Sequence, residues 1–440
     1  MSVLMSIMKT NVMFSCTECG FETKKWQGRC SECGNWNSLV EKISSFKKQS
    51  ASSVQIIEPV ALVDIDVSVI AQKPILEIPL QEVAGVMRKA LLPGGLLLLG
   101  GEPGIGKSTL VLQFASYLQA KQKMLYISGE ETLAQLRIRA ERLAASQELR
   151  CLMLADIDMI ADYLHNEKEL PHIIVIDSLH VLYSTRSAGN VGSVSQVKYA
   201  VDILRRIAKE KNILIITIGH VTKDGDIAGP KMLEHMVDAV FYLEGERDGN
   251  IRFLRAVKNR FDAVNTLGVL EMTESGFKDA ANPDLIFWQQ EKPEIGTALG
   301  MIRQGKRIFV TEVQALVVPT DFGYPRRTSL GYDLNRLHTV LAVLQRQLDL
   351  PFNKHDVYIK LKAGLQTDDT TLDTAVALAL ISSHQRKVVN EHLIAVGEIT
   401  LNGHISKVSD DYSREAKKRG LKFLPILHVS DLQSILPLPG

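Results

Sequence analysis

The central part of the chain alternates two hydrophobic patterns. Short apolar runs, LLLLG at 96–100, KMLYIS at 123–128, HIIVID at 172–177 and ILIITIGH at 213–220, have the length and density of buried strands. Between them lie stretches such as TLAQLRIRAERLAA at 132–145, where apolar positions recur at helical spacing. Strand and helix in alternation predict an α/β domain around a mostly parallel, twisted sheet, and AVFYLEG, IRFLRAVKNR and LGVLEMT, between 239 and 273, read as the strands that finish it. This domain is expected over 71–282. The pattern changes from about residue 283, which marks a further domain over 283–440. Residues 41–70 are Ser-rich and then loosely apolar, as in a linker, and 1–13 are expected to be a flexible N-terminus.

The first strand runs into a glycine-rich loop and then an amphipathic helix. Gly101, Glu102, Pro103, Gly104, Ile105, Gly106, Lys107 and Ser108 satisfy G-x-x-x-x-G-K-[ST]. Backbone N–H groups of such a loop wrap phosphate oxygens at a helix N-terminus, Lys107 reaches the β- and γ-phosphates of ATP, and Ser108 ligates Mg2+. Thr109 supports the α-phosphate side. Asp177, at the tip of the third apolar strand, fits a carboxylate that holds Mg2+ through water; the bland alternative is a helix cap.

Hydrolysis needs one more carboxylate, to orient or deprotonate the attacking water. Glu130 is the first candidate and Glu131 the second, and one of the two could merely cap the helix that follows. His220, at the end of ILIITIGH, is placed to sense the γ-phosphate or simply to bond backbone. Lys258 and Arg260 alternate on one face near a strand end. Two cations there could enter a neighbouring subunit's site as trans-acting fingers, which requires a ring or filament.

Composition narrows the partners. The 440-residue chain is 45% hydrophobic and 23% charged, enough for two or three domains with filled cores. A net charge of +1 excludes a generally basic surface, so any nucleic-acid contact comes from local clusters. Such clusters are Lys24, Lys25 and Arg29; Arg326 and Arg327; and Lys417, Lys418 and Arg419, each of which alone reads as a solvated face. No apolar run is long enough to cross a bilayer, and MSVLMSIMKT lacks a basic first segment and a small-residue cleavage site, so a cytoplasmic protein is expected.

Four of the five cysteines, Cys16, Cys19, Cys30 and Cys33, form two C-x2-C pairs ten residues apart. Each pair can bring two thiolates to one Zn2+ through a tight turn, and four complete a closed tetrahedral site with no open position for catalysis. This predicts a zinc ribbon over 14–40, with Gly20 and Gly34 supplying the positive φ that turns the chain back. Disulfides are the alternative, and a cytoplasmic chain keeps its thiols reduced. Trp26 and Trp36 beside Lys24, Lys25 and Arg29 suggest a surface for DNA or a partner protein. Cys151 opens the apolar run CLMLAD and reads as a core residue.

Taken together, the cysteine knuckles, GGEPGIGKST, YISGEE, VIDS, GHVTKDGDIAGPKMLEHMVD and KNRFDAVNTLGV resemble the RadA/Sms family of bacterial DNA repair proteins from about residue 14 onward. The resemblance implies a zinc finger, a RecA-like ATPase core and a C-terminal α+β domain shaped like the Lon protease domain. It also implies a homo-hexameric ring that binds single-stranded and branched DNA, promotes branch migration and acts with the RecA recombinase. The family's KNRFG motif falls on Lys258, Asn259, Arg260 and Phe261, with Asp262 in place of glycine, which puts the following turn in question. STRSAGNVGSVSQ and TKDGDIAGPKMLEH match the DNA-facing loops, with Lys223 and Lys231 as phosphate contacts.

HDVYIKLKAGLQTDDTTLDTAVALALISS and GEITLNG resemble the Lon-like fold, so an ATP-dependent protease is a rival reading. Lon-type proteolysis needs a nucleophilic Ser and a Lys base. Thr371 stands about where the Ser would be and Tyr412 nearest the Lys, so the dyad is missing. The domain instead reads as an assembly and DNA-binding surface, with Arg326, Arg327, Lys360, Lys362 and Lys417 as contacts. A nucleotide switch without translocation, as in KaiC-like proteins, is the other alternative.

Overall fold

The structure, a computed structural model, describes residues 13–42, 78–146, 148–219, 230–245 and 249–435, except 263, 265, 282, 284–286, 289–291, 293, 306, 321–322 and 390–391. His220, Lys223 and most of the expected linker and N-terminus lie outside the described residues. The chain forms two compact units. One comprises residues up to Glu244 with 254–264 and 273–277, and the other comprises 245–253, 265–272 and 278 onward.

In the first unit the cysteine segment forms a small antiparallel sheet, with β1 (Met13–Cys16) between β2 (Glu22–Thr23) and β3 (Leu39–Lys42). A segment this short buries little beyond Cys16, Cys30 and Leu39, so a bound metal must supply much of its stability.

The same unit holds a parallel sheet whose strands match the apolar runs. β4 (Leu96–Gly101), β5 (Met124–Ser128), β7 (Ile173–Asp177) and β8 (Leu214–Ile218) are buried along their whole length. This is why these runs are continuously apolar rather than alternating. With β6 (Arg150–Met153) and β9 (Ala239–Glu244) the order is β9-β4-β8-β7-β5-β6, all parallel. Here β8 separates β4 from β7, a RecA-like arrangement. Cys151 lies on β6 and is only half-buried. Three further strands, β10 (Ile251–Asn259), β11 (Leu267–Thr273) and β12 (Gly276–Asp279), follow β9 in the chain.

The parallel strands all end on one edge, where ligands bind in open α/β sheets. Helices Ile157–Asn166 and Val194–Lys211 cover one face, contributing Ile157, Ile160, Leu164, Val197, Val201 and Leu204 to its core.

The second unit carries a six-stranded mixed sheet, in which β13 (Thr297–Gln304) and β14 (Arg307–Pro319) form an antiparallel hairpin. The order is β15-β16-β14-β13-β17-β18, with β15 (Arg327–Leu330), β16 (His355–Leu361), β17 (Leu393–Ile394) and β18 (Lys422–Phe423). Helix Asp373–Gln385 is buried from Asp373 to Ser383, as its sequence TAVALALISS, apolar all round, requires. Among the described residues no helix is long and apolar enough to cross a membrane.

Candidate functional site

The last residue of β4, Gly101, approaches its neighbour too closely for a side chain. A Cβ on Gly101 would lie 2.5 Å from the Leu243 carbonyl oxygen. Past Glu102, Pro103, Gly104, Ile105 and Gly106, helix Lys107–Gln119 begins, placing Lys107, Ser108 and Thr109 in its first turn. Lys107 is 4% exposed, and its ammonium donates to the carbonyls of Gly101 and Glu102, each at 2.9 Å. Burial pushes it down to about 8, against the opposing pull of Asp177 and Glu130. Lys107, Asp177 and Glu130 are therefore close enough to feel one another's charge.

Asp177 ends β7 and is buried. It is not a helix cap. Its Oδ2 accepts a hydrogen bond from the Tyr126 hydroxyl at 2.6 Å. The Ser178 hydroxyl donates to Glu130. Glu131 is held differently: its carboxylate pairs with Arg139, and its backbone exchanges hydrogen bonds with the Ser128 hydroxyl. Neither glutamate caps the following helix, Leu133–Arg142, because Thr132 does, in a reciprocal capping box with Gln135. Sequence reasoning missed Tyr126 and Ser178. The available signal was a tyrosine inside a buried strand, whose hydroxyl needs a partner.

Lys258 donates to the carbonyls of Glu234 and Val237, and Arg260 pairs with Asp238 at 3.1 Å. Asp262 is bonded to Lys89 at 2.8 Å and is not among the described residues with positive φ. Asp262 itself thus carries no left-handed backbone.

The 184–196 loop is closed by Gln196, whose amide donates to the carbonyls of Ser184, Ser187 and Gly189. Lys231 stands on helix Pro230–Met236. Arg326 is exposed, whereas the Arg327 guanidinium is held by the carbonyls of Phe352, His355 and Arg326. In the second unit Thr371 donates to Asp369 at 2.7 Å and lies against the buried Tyr412. The two positions expected for a protease dyad do meet, and they hold Thr and Tyr where a Lon-type dyad has Ser and Lys.

The ribbon's thiols converge. Cys16, Cys19, Cys30 and Cys33 place their sulfurs within 4.8 Å of one another, with Cys16 to Cys33 at 3.7 Å and Cys19 to Cys30 at 3.5 Å. Four thiolates about 2.3 Å from one tetrahedral Zn2+ stand about 3.8 Å apart, so the set fits the metal. Gly20 and Gly34, at φ of 75° and 74°, donate to the carbonyls of Cys16 and Cys30 and close matching knuckles.

Comparison with known proteins agrees with both sites. Residues 14–41 match a family described as a rubredoxin metal binding domain, and 69–226 match an AAA domain family. The chain is 39% identical to the DNA repair protein RadA of Halalkalibacterium halodurans, over 94% of this chain and 92% of that one. Identity to the RadA proteins of Bacillus subtilis and Campylobacter jejuni is 38% and 40%, over 94% of this chain and 92% and 93% of theirs. A buried phosphate-loop lysine facing two carboxylates, a four-thiolate ribbon and this whole-length likeness have one conclusion: the chain belongs to the RadA family of DNA repair proteins.

Proposed function

We propose that this protein is an ATP-driven motor that binds single-stranded and branched DNA and promotes branch migration together with RecA, working as a homo-hexamer. The observation that carries the reading is the convergence of Lys107, Asp177 and Glu130 at the carboxyl edge of the parallel sheet. The proposed parts are the ribbon over 14–40, a linker to 70, the ATPase core over 71–282 and a proteolytically inactive Lon-like domain from 283.

ATP binding has Lys107 exchange its two carbonyl acceptors for β- and γ-phosphate oxygens, while the N–H groups of Gly104, Gly106 and their non-proline neighbours surround the phosphates and Thr109 supports the α-phosphate side. Ser108 and Asp177 are the residues that would hold Mg2+, which supplies charge neutralisation across the phosphates. Glu130 orients the attacking water, and His220 reports the γ-phosphate to the loop after it. Lys258 and Arg260 act on a neighbouring subunit's nucleotide. Lys223, Lys231, Arg326 and Arg327 contact DNA phosphates without regard to sequence. Trp26 and Trp36, 58% and 72% exposed, with Arg29 over the Trp36 ring, give the ribbon a surface for RecA or DNA.

The test is the ATPase rate with and without single-stranded DNA. Stimulation is expected, and Lys107→Ala should lower the rate about 100-fold or more. An unstimulated rate with DNA binding intact would replace the motor with a nucleotide switch.

A further inference from the structure

Two side chains outside the nucleotide loop touch its carboxylates, and one of them reaches across the sheet to do so. Tyr126 lies on β5, two residues before Ser128. In the β5–β7 ladder Ser128 pairs with Asp177 and Tyr126 with Val175. Side chains two residues apart share a face, so the ring of Tyr126 runs diagonally along that face to its neighbour's last residue. There its hydroxyl meets Asp177 Oδ2 at 2.6 Å. Both residues are buried, Tyr126 to 1% and Asp177 to 6% exposure, so water does not compete freely for the bond.

A buried phenol needs only one acceptor, and any strand carbonyl would serve. This one instead uses the carboxylate proposed to hold Mg2+. Such a donor occupies one oxygen and fixes the rotation of the carboxylate, leaving the other oxygen to face the metal's water. Groups that orient a metal-holding carboxylate in this way tune metal affinity even though they never touch the metal.

We propose that Tyr126 is a positioning residue for Asp177, setting the affinity of the nucleotide site for its divalent cation. The inference rests on the proposed role of Asp177. The experiment is binding of a fluorescent ATP analogue to the full chain, titrated with Mg2+ and repeated in EDTA, for the unsubstituted protein, Tyr126→Phe, Asp177→Asn and the double variant. Tyr126→Phe should raise the Mg2+ midpoint about tenfold and leave the EDTA affinity unchanged. In the Asp177→Asn background it should add nothing. An unchanged midpoint in Tyr126→Phe overturns the proposal, as does an equal loss in EDTA or a melting midpoint below the assay temperature, because each marks a merely structural tyrosine. If the unsubstituted protein binds the analogue equally with and without Mg2+, the reading of Asp177 itself has failed.

Discussion

At the scale of single residues, adjacent Glu130 and Glu131 differ in what holds them. Arg139 neutralises Glu131, while Glu130 acts on Lys107 and takes the Ser178 hydroxyl. Of the two, Glu130 is the one whose charge acts on Lys107, which favours it as the proposed water-orienting carboxylate. Glu130→Gln should lower kcat about 100-fold or more with nucleotide affinity retained. Glu131→Gln should cost a partly exposed ion pair and keep most of the activity. Single-turnover hydrolysis beside nucleotide binding checks this, and a larger loss of turnover in Glu131→Gln would reverse the assignment. The sequence ranked Glu130 ahead of Glu131 without excluding either as a helix cap, because that depends on Thr132 capping the helix that follows. The phosphate loop and the cysteine pairs were legible because their chemistry is local. Tyr126 and Ser178 were not, since their bonds cross between strands about fifty residues apart in the chain.

At the scale of elements, the parallel strands were legible because burial on both sides leaves runs with few polar residues. The second unit was less so, because within its apolar core it holds a buried charge that pattern reading does not flag. Asp373, 0% exposed at the start of a core helix, accepts from Tyr332 at 2.5 Å, from Arg336 and from the Ile399 amide at 2.9 Å. Through it helices Leu334–Leu348 and Asp373–Gln385 are tied to the GEITLNG segment, whose Glu398 also meets Arg336. Burial pushes the Asp373 carboxyl up while Arg336 pulls it down, and three donors around one carboxylate favour the charged pair. Asp373→Ala leaves the phenol, the guanidinium and an amide without their acceptor. It should destabilise this unit by about 3 kcal/mol, read as a lower urea midpoint. A change below about 0.5 kcal/mol would mean that water replaces the carboxylate.

At the scale of the whole molecule, the question is whether one chain contains a complete catalytic site. Lys258 is bonded to two backbone carbonyls, whereas the Arg260 side chain is 55% exposed and paired with Asp238. The guanidinium end of this pair is solvated, while Asp238 is buried and also accepts from the Leu96 amide at 3.1 Å, so the carboxylate keeps a donor if Arg260 turns to another acceptor. If it completes the site of a neighbouring subunit, Lys107→Ala and Arg260→Ala each inactivate every site of a uniform assembly, but they damage opposite sides of the interface. In an equal mixture that exchanges subunits, an intact Lys107 meets an intact Arg260 at about a quarter of the interfaces. The mixture should therefore recover up to about a quarter of the unsubstituted DNA-stimulated rate, and recovery should vanish on dilution below the assembly concentration. A mixture as inactive as its components, under conditions where subunit exchange is demonstrated by labelled chains, would place Arg260 in its own subunit's site. That outcome would also remove the reason for requiring a ring, because phosphate loop, metal carboxylate, water-orienting glutamate and cation would then all lie on one chain.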